Sequence, residues 1–359
     1  MPLSTSVIFV FCLSFISLFV FRKLAKRVGL VDKPNERKHH IGQIPLVGGI
    51  SIYTTLMIAL FVLFPITKAL LLYVACSTVL IILGALDDRF DLSFKSRLVV
   101  QAGISLAMIL IGYKSLHYLG AMFSESALVI PTYVSYVVTI FAVIGAINAF
   151  NMVDGIDGLL GGLASVTFTA LGVMFYLADN INLATFCLLF VFAMLPYIML
   201  NLGFPFGRRF KVFMGDAGSM FIGFTAIWLL IDASQGKDQL VIRPVTALWF
   251  IALPLMDMVC IMARRIKKGQ SPFKPDREHL HHICQRIGLS SAQSLLFICF
   301  LAAVMAGVGV LSELYNVPES VMFFSFLLTF ALYYAVIANI WRIIAFLHKH
   351  LQFTKPSHE

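Results

Sequence analysis

Seven of the chain's 18 acidic residues lie in four short segments at the edge of, or inside, long apolar runs. In ALDDRFD, Asp87 and Asp88 are adjacent and Asp91 follows. At the end of a helix they add negative charge where the helix dipole is already negative, so a cation must compensate. Arg89, Lys95, Arg97 or a divalent metal are the candidates. In NAFNMVDGIDGLLGG (148–162), Asn148 and Asn151 precede Asp154 and Asp157 at the same spacing. One aspartate suffices to cap a helix opening in GLLGG; two exceed that need. If the helix begins early, i and i+3 place both carboxylates on one face. Gly155 and Gly158 then leave room for a phosphate or another backbone. Oxygen ligands of this kind suit Mg²⁺, held through carboxylates and substrate phosphates.

The third segment is VFMGDAGS (212–219). Gly215, Gly218 and Ser219 leave backbone N–H groups bare at a helix N-terminus, which favours an anion. Arg208, Arg209 and Lys211 lie just upstream, and Asp216 is read as a metal ligand beside that anion, or else as the helix cap. Asn201, ending the preceding apolar run, is a second candidate there. The fourth segment, PLMDMVCIMARR, buries Asp257 inside an apolar run, and Arg264 and Arg265 follow it. A carboxylate at such depth needs a partner or a cavity, so an ion pair with Arg264 or a substrate contact is expected. The loop KPDREHLHHICQR adds His279, His281 and His282. With Cys284 as the one nearby thiol, their spacing does not match structural zinc sets. Between Arg277 and Arg286 they better suit a phosphate or nucleotide. The first polar loop offers Arg37, His39, His40 and the Gly48-Gly49 pair, with Lys33 and Lys38 read as ordinary loop charge.

These segments must be positioned by membrane helices. The chain is 60% hydrophobic and 13% charged, about half the charged fraction of a soluble domain. Its apolar residues fall into runs of bilayer length. Eleven spans fit: 3–21, 46–64, 69–86, 98–112, 131–149, 159–178, 182–200, 219–233, 244–263, 292–312 and 319–340. The expected fold is therefore an all-α polytopic membrane protein, since only self-satisfied helices cross lipid this way. The first run has no preceding positive charge and no small-residue cleavage site, so it reads as a start-anchor. One set of alternate loops holds 23 of the 27 Lys and Arg residues and the other holds four. That asymmetry predicts a periplasmic N-terminus, a cytoplasmic C-terminus and every carboxylate loop on the cytoplasmic face. The net charge of +9 is thus a topology signal, not a nucleic-acid surface. Five cysteines sit in apolar runs and no disulfide framework is expected. The longest outer segment, 113–130, is expected to form a small hairpin.

Carboxylates, cations and glycines on one membrane face are the equipment of phosphoryl transfer, where a diphosphate is neutralised, held and attacked in line. A transporter with a carboxylate relay is the rival class. It expects ionisable groups near the midplane of several helices, whereas Asp257 alone lies inside a run.

ALDDRFD, NAFNMVDGIDGL, FMGDAGS and the HLHH loop resemble, in order and over nearly the whole chain, the polyprenyl-phosphate sugar-1-phosphate transferase superfamily. GLVDKPNERK, IPLVGGIS, LPYIMLNLG and RPVTALW resemble its undecaprenyl-phosphate N-acetylglucosamine-1-phosphate transferase branch. The peptidoglycan branch shares the carboxylate motifs but has a lysine before PTMGG and three consecutive histidines, where this chain has IPLVGG and HLHH. The resemblance implies one integral membrane domain whose loops 22–45, 87–97, 150–158, 201–218 and 264–291 form the active site. It implies UDP-N-acetylglucosamine, or another UDP-N-acetylhexosamine, and undecaprenyl phosphate as substrates, Mg²⁺ or Mn²⁺ as cofactor, and the bacterial inner membrane as location. It leaves open whether a second copy of the chain is a partner. Residue by residue, it implies Asp216 on the metal and Asp154 and Asp157 on the metal and nucleotide side. Asp87 and Asp88 would serve the lipid phosphate, and Asn201 the metal-diphosphate region. Asn148, Asn151, Asp257, Arg264, Arg265, His279, His281 and His282 would contact substrate.

Overall fold

The computed structural model describes residues 2–32, 42–123, 126–236, 240–272, 279–340 and 342. Lys33, Arg37, Lys38, His39, His40 and Arg277 lie outside them. The described chain is helical throughout, apart from a two-residue antiparallel pairing of β1 (Val31–Asp32) with β2 (Ile44–Pro45).

Among the described residues, eight helices are long and apolar enough to cross a membrane: α1 (Leu3–Val28), α3 (Lys68–Phe90), α5 (Thr132–Met152), α6 (Leu159–Leu177), α7 (Ile181–Asn201), α8 (Gly215–Ser234), α12 (Ser291–Leu314) and α13 (Glu319–Ala338). The runs at 46–64 and 98–112 give shorter helices, α2 (Gly48–Leu63) and α4 (Phe94–Leu110). A short helix, α11 (Leu280–Arg286), precedes α12. At 113–130, Leu119 N donates to Leu128 O and Leu128 N to Gly120 O, each at 2.9 Å, beside an antiparallel bridge of Tyr118 with Val129.

The run at 244–263 departs from the expected single span. It breaks into α9 (Pro244–Phe250) and α10 (Ala252–Lys267), bent by 80°. Pro254 explains the break. It lacks an N–H, and its ring clashes with the carbonyl four residues earlier, which is that of Phe250. The freed carbonyl accepts from Thr167 Oγ1 on α6 at 2.9 Å, so the break leaves no orphan there.

The architecture is built around α8. Its membrane window is 94% buried inside the protein, against 17–61% for the other long helices. It packs most extensively on α5 and α3, and also on α2 and α6. Small residues make these crossings close. A Cβ on Gly84 of α3 would overlap the backbone of Ala217 and stand 2.7 Å from the carbonyl carbon of Asp216. A Cβ on Gly49 of α2 would overlap Gly218, and one on Gly223 of α8 would stand 2.7 Å from Ile147 Cα of α5. The N-terminal half of α8 is therefore held by three neighbours at backbone distance. One of them, α3, ends in Asp87-Asp88, and another, α5, ends in Asn148 and Asn151.

Candidate active site

The α8 N-terminus was expected to offer bare N–H groups to a ligand anion. The structure gives that place to the chain's own carboxylate. Asp88 Oδ1 accepts from Asp216 N at 2.9 Å and Asp88 Oδ2 accepts from Ala217 N at 3.4 Å. The partial positive charge of the helix start is answered by a group on α3. Gly215 has φ +75°, and a side chain there would run into Asp88 Oδ2, so glycine is required on both counts. Asp216 is in the first turn of α8 and is not its cap.

Asp87 is 6% exposed. Its Oδ2 pairs with Arg97 Nη1 of α4 at 2.5 Å and its Oδ1 accepts from Leu92 N at 2.9 Å. Arg97 is thus the compensating cation that two adjacent carboxylates demanded. The same guanidinium stands 3.6 Å from Asp216 Oδ2. Asp216 Oδ1 accepts from Asn151 Nδ2 at 2.7 Å, and that amide also reaches Ser219 Oγ at 2.8 Å. The structure therefore brings Asp87, Asp88, Asp216 and Asn151 together, with Arg97 between them.

Asn148 turns elsewhere. Its amide donates to Gln101 Oε1 of α4 at 2.9 Å and to Ile144 O at 2.8 Å. It braces α5 on α4 three residues before the site.

Asp154 and Asp157 do not share a helix face, and neither caps α6. The helix starts at Leu159, after Gly158 in the left-handed region, and no side chain caps it. Both aspartates lie in the α5–α6 loop. Asp157 Oδ2 pairs with Lys211 Nζ at 2.5 Å. Asp154 is an exposed residue of this loop. Desolvation by the surrounding protein, followed by the Asp216 and Asp157 charges, raises its carboxyl to about 7. Asn201 closes this loop from below. It is 2% exposed, accepts from Gly158 N at 2.6 Å and donates to Val212 O at 2.8 Å. Its amide oxygen and nitrogen are both engaged by backbone, so it ties the α5–α6 loop to the strand-like entry of α8.

Asp257 finds its partner in a histidine, not in Arg264. Its Oδ2 lies 2.7 Å from His279 Nδ1, while its Oδ1 accepts from Leu280 N at 3.1 Å and from Tyr333 Oη of α13 at 2.8 Å. Asp257 thereby fixes the start of α11 and the ring of His279. Arg264 donates to Ile337 O at 3.4 Å, and Arg265, 4% exposed, donates to Pro272 O at 2.6 Å. Within the histidine group, His279 stacks on His281 with ring centres 5.7 Å apart, and His281 leans on His282 at 4.2 Å. His281 is 3% exposed, and its Nε2 has no hydrogen-bond partner. A Cβ on Gly155 would collide with that nitrogen, so the histidine group abuts the Asp154–Asp157 loop through a glycine.

Burial, with His282 and His279 beside it, pushes His281 down to about 3 from its ordinary value near 6.5. Between those values the unfolded chain binds a proton that the folded chain refuses. Stability from this group is complete above pH 6.5 and falls as pH drops towards 3, by at most about 1.4 kcal/mol per pH unit. Thermal unfolding at pH 7.5 and pH 5.5 should show a larger acid loss in the wild type than in His281→Asn. Equal losses would contradict the buried, uncharged imidazole.

Among the described residues, no three His, Cys, Asp or Glu side chains close on one point as a ready metal cage. Mg²⁺ rarely uses such a cage; one or two carboxylates plus substrate phosphates are usual. Asp216 Oδ2 and Asp154 fit that pattern. Both keep exposed surface: the Asp216 side chain is 36% exposed, and Asp154 is an exposed residue of the α5–α6 loop. Asp157, held by Lys211, fits it less well.

Residues 70–234 match the glycosyl transferase family 4 model. Over 350 residues the chain is 50% identical to the undecaprenyl-phosphate alpha-N-acetylglucosaminyl 1-phosphate transferase of Escherichia coli K12, covering 97% of this chain and 95% of that protein. The chain belongs to glycosyl transferase family 4. Relatives of the same description in Salmonella typhi and Haemophilus influenzae are 51% identical over 346 residues and 46% over 338. These cover 96% and 94% of this chain, and 94% and 95% of the relatives. The family match ends with α8, so the family's matched region contains the Asp87–Asp88, Asp154–Asp157 and Asp216 segments but not the histidine loop.

Sequence reasoning named Arg97 only as one of several compensating cations and Ser219 only for its backbone N–H, and it did not name Gln101 or Tyr333 as part of this architecture. Arg97 lies ten positions after Asp87 in the next helix, a spacing with no local periodicity to expose it. Tyr333 sits in an apolar run with nothing to mark its hydroxyl as engaged.

Proposed function

We propose that this chain transfers N-acetylglucosamine 1-phosphate from UDP-N-acetylglucosamine to undecaprenyl phosphate, releasing UMP. The observation that carries the reading is the 50% identity across 97% of the chain to relatives described by that donor group and that acceptor. The geometry is consistent with it: carboxylates and cations from α3, α4, the α5–α6 loop and α8 meet at one end of a lipid-shielded helix.

In the reaction, an oxygen of the acceptor phosphate forms a bond to the β-phosphorus of the donor. The bond from that phosphorus to the bridging oxygen breaks, and UMP leaves with the electron pair. The acceptor phosphate has its second pKa near 6 and is already mostly ionised at pH 7. Proton abstraction is therefore a minor need, and positioning with charge stabilisation is the main one. Asp87 is assigned to holding Arg97, whose guanidinium faces the transferring region, and Asp88 to fixing the α8 start. Asp216 and Asp154 would hold Mg²⁺ or Mn²⁺, which supplies neutralisation of the diphosphate. Lys211, steadied by Asp157, and the His279–His282 group serve the nucleotide side, with Asp257 orienting His279. Asn151 aims Asp216, while Asn148 and Asn201 brace the walls. Arg265 holds the chain at Pro272, and Arg264 ties α10 to α13.

The finer statements belong to the same proposal. Loops 22–45, 87–97, 150–158, 201–218 and 264–291 serve one domain on the cytoplasmic side of a bacterial inner membrane. Eleven spans place the N-terminus in the periplasm and the C-terminus in the cytoplasm. The product would start O-antigen and enterobacterial common antigen lipids.

The test is purified protein with undecaprenyl phosphate and a panel of UDP-sugars, with and without Mg²⁺, scored by UMP release. UMP from UDP-N-acetylglucosamine, dependent on metal, is the expected result. No UMP from any sugar would remove the reading; equal turnover of UDP-N-acetylgalactosamine would remove its sugar assignment.

A further inference from the structure

On the side of the molecule that carries the carboxylates, but away from them, α1 ends in a group of unbalanced positive charges. Arg22 donates through Nη2 to the carbonyl of Arg209, and its guanidinium lies 4.7 Å from the centre of the Phe210 ring. The two guanidinium groups repel one another electrostatically. Among the described residues no carboxylate lies within ion-pair distance of Arg22, Arg208 or Arg209. The Nε of Arg22 is buried and has no hydrogen-bond partner among the described residues. A buried donor on a cation, facing a second cation, calls for an anion.

The adjoining surface is apolar. In the loop after α7, Phe204 is 63% exposed and Phe206 is 49% exposed. Phe206 lies 6.1 Å from Phe15 and 5.9 Å from Phe19 of α1, and 5.6 Å from Phe210. Phe11 continues the row along α1. A wall of aromatic rings thus runs down a membrane helix and ends under the arginines.

We propose that this corner binds an anionic glycerophospholipid of the surrounding bilayer, its phosphate on Arg22 and Arg209 and one acyl chain along Phe206, Phe19 and Phe15. Charge complementarity selects the headgroup, because among the described residues the arginines have no carboxylate partner, and arginine pairs well with phosphate oxygens. The aromatic row selects a lipid over a free phosphate. The corner stands on other elements than the transfer carboxylates. α1 packs on α2 and α7, while the transfer carboxylates stand on α3, α8 and the α5–α6 loop. A bound lipid would fix the loop 202–210, which leads through Lys211 to Asp157.

The experiment is native mass spectrometry of the purified full chain after stepwise delipidation, with phosphatidylglycerol or phosphatidylcholine added back and no acceptor present. Wild type should retain one more phosphatidylglycerol than phosphatidylcholine. Arg22→Gln should weaken that retention about fivefold, the effect of one arginine near a lipid surface. Phe206→Ser, which leaves the cations in place, should weaken retention of phosphatidylglycerol without weakening binding of inorganic phosphate. Equal retention of the two lipids, or no change in either variant, would overturn the proposal. Displacement of the retained phosphatidylglycerol by equimolar undecaprenyl phosphate would also overturn it, by making the corner an acceptor site. Each of these readouts is independent of UMP release, so failure of the transferase reading would leave it standing.

Discussion

Replacing Asp216 by Asn should cut kcat/KM for UMP release by about a thousandfold and abolish tight Mn²⁺ binding. The size follows from losing a preorganised charge aimed at the transferring phosphate. Its Oδ1 is held by Asn151, while Oδ2 is offered outward with Arg97 at 3.6 Å. An amide keeps the shape and removes the charge. The fold should survive, because α8 is capped by Asp88 and not by Asp216. The check is turnover together with Mn²⁺ titration followed by electron paramagnetic resonance. Unchanged Mn²⁺ affinity would remove Asp216 from the metal and leave Asp154 to carry it.

The second large effect concerns stability. Gly84→Ala should unfold the detergent-solubilised protein at a much lower temperature, a loss above about 3 kcal/mol, beyond ordinary overpacking. The added methyl would fall on the backbone of Ala217, which cannot rotate away as a side chain can. Gly103→Ala is the matched control. It lies on α4 with nothing within 4 Å of a Cβ, so it should be neutral or gain up to about 1 kcal/mol in helix propensity. If Gly84→Ala tracks the control in thermal unfolding, the backbone-distance crossing of α3 and α8 is wrong. Because that crossing brings Asp88 to the α8 start, the variant should also lose activity in any fraction that folds.

The elements and their polar ends were legible because membrane sequence is unusually direct. Apolar runs mark helices, and carboxylates at their ends stand out. What stayed hidden was set by contacts between distant segments. Asp88 looked like a lipid-phosphate residue, yet its oxygens meet N–H groups 128 and 129 positions away. Asp257 had Arg264 within reach along its helix, but the chain returns His279 and Tyr333 to it from two other elements. The α9–α10 break was written in Pro254, whose cost to Phe250 could be counted from sequence, though the bend of 80° could not. Asp154 and Asp157 misled by their spacing: i and i+3 implies a helix face only if a helix is there, and Gly158 delays it.

The enclosure of α8 has a mechanical consequence. A helix that meets lipid adjusts its tilt or length to the local thickness of the bilayer. α8 meets almost none, so its height is set by α2, α3, α5 and α6. The depth of Asp216 is then a property of the protein and not of the membrane around it. Thicker or thinner membranes would strain the outer helices first, and the reacting phosphates would meet at the same level in each.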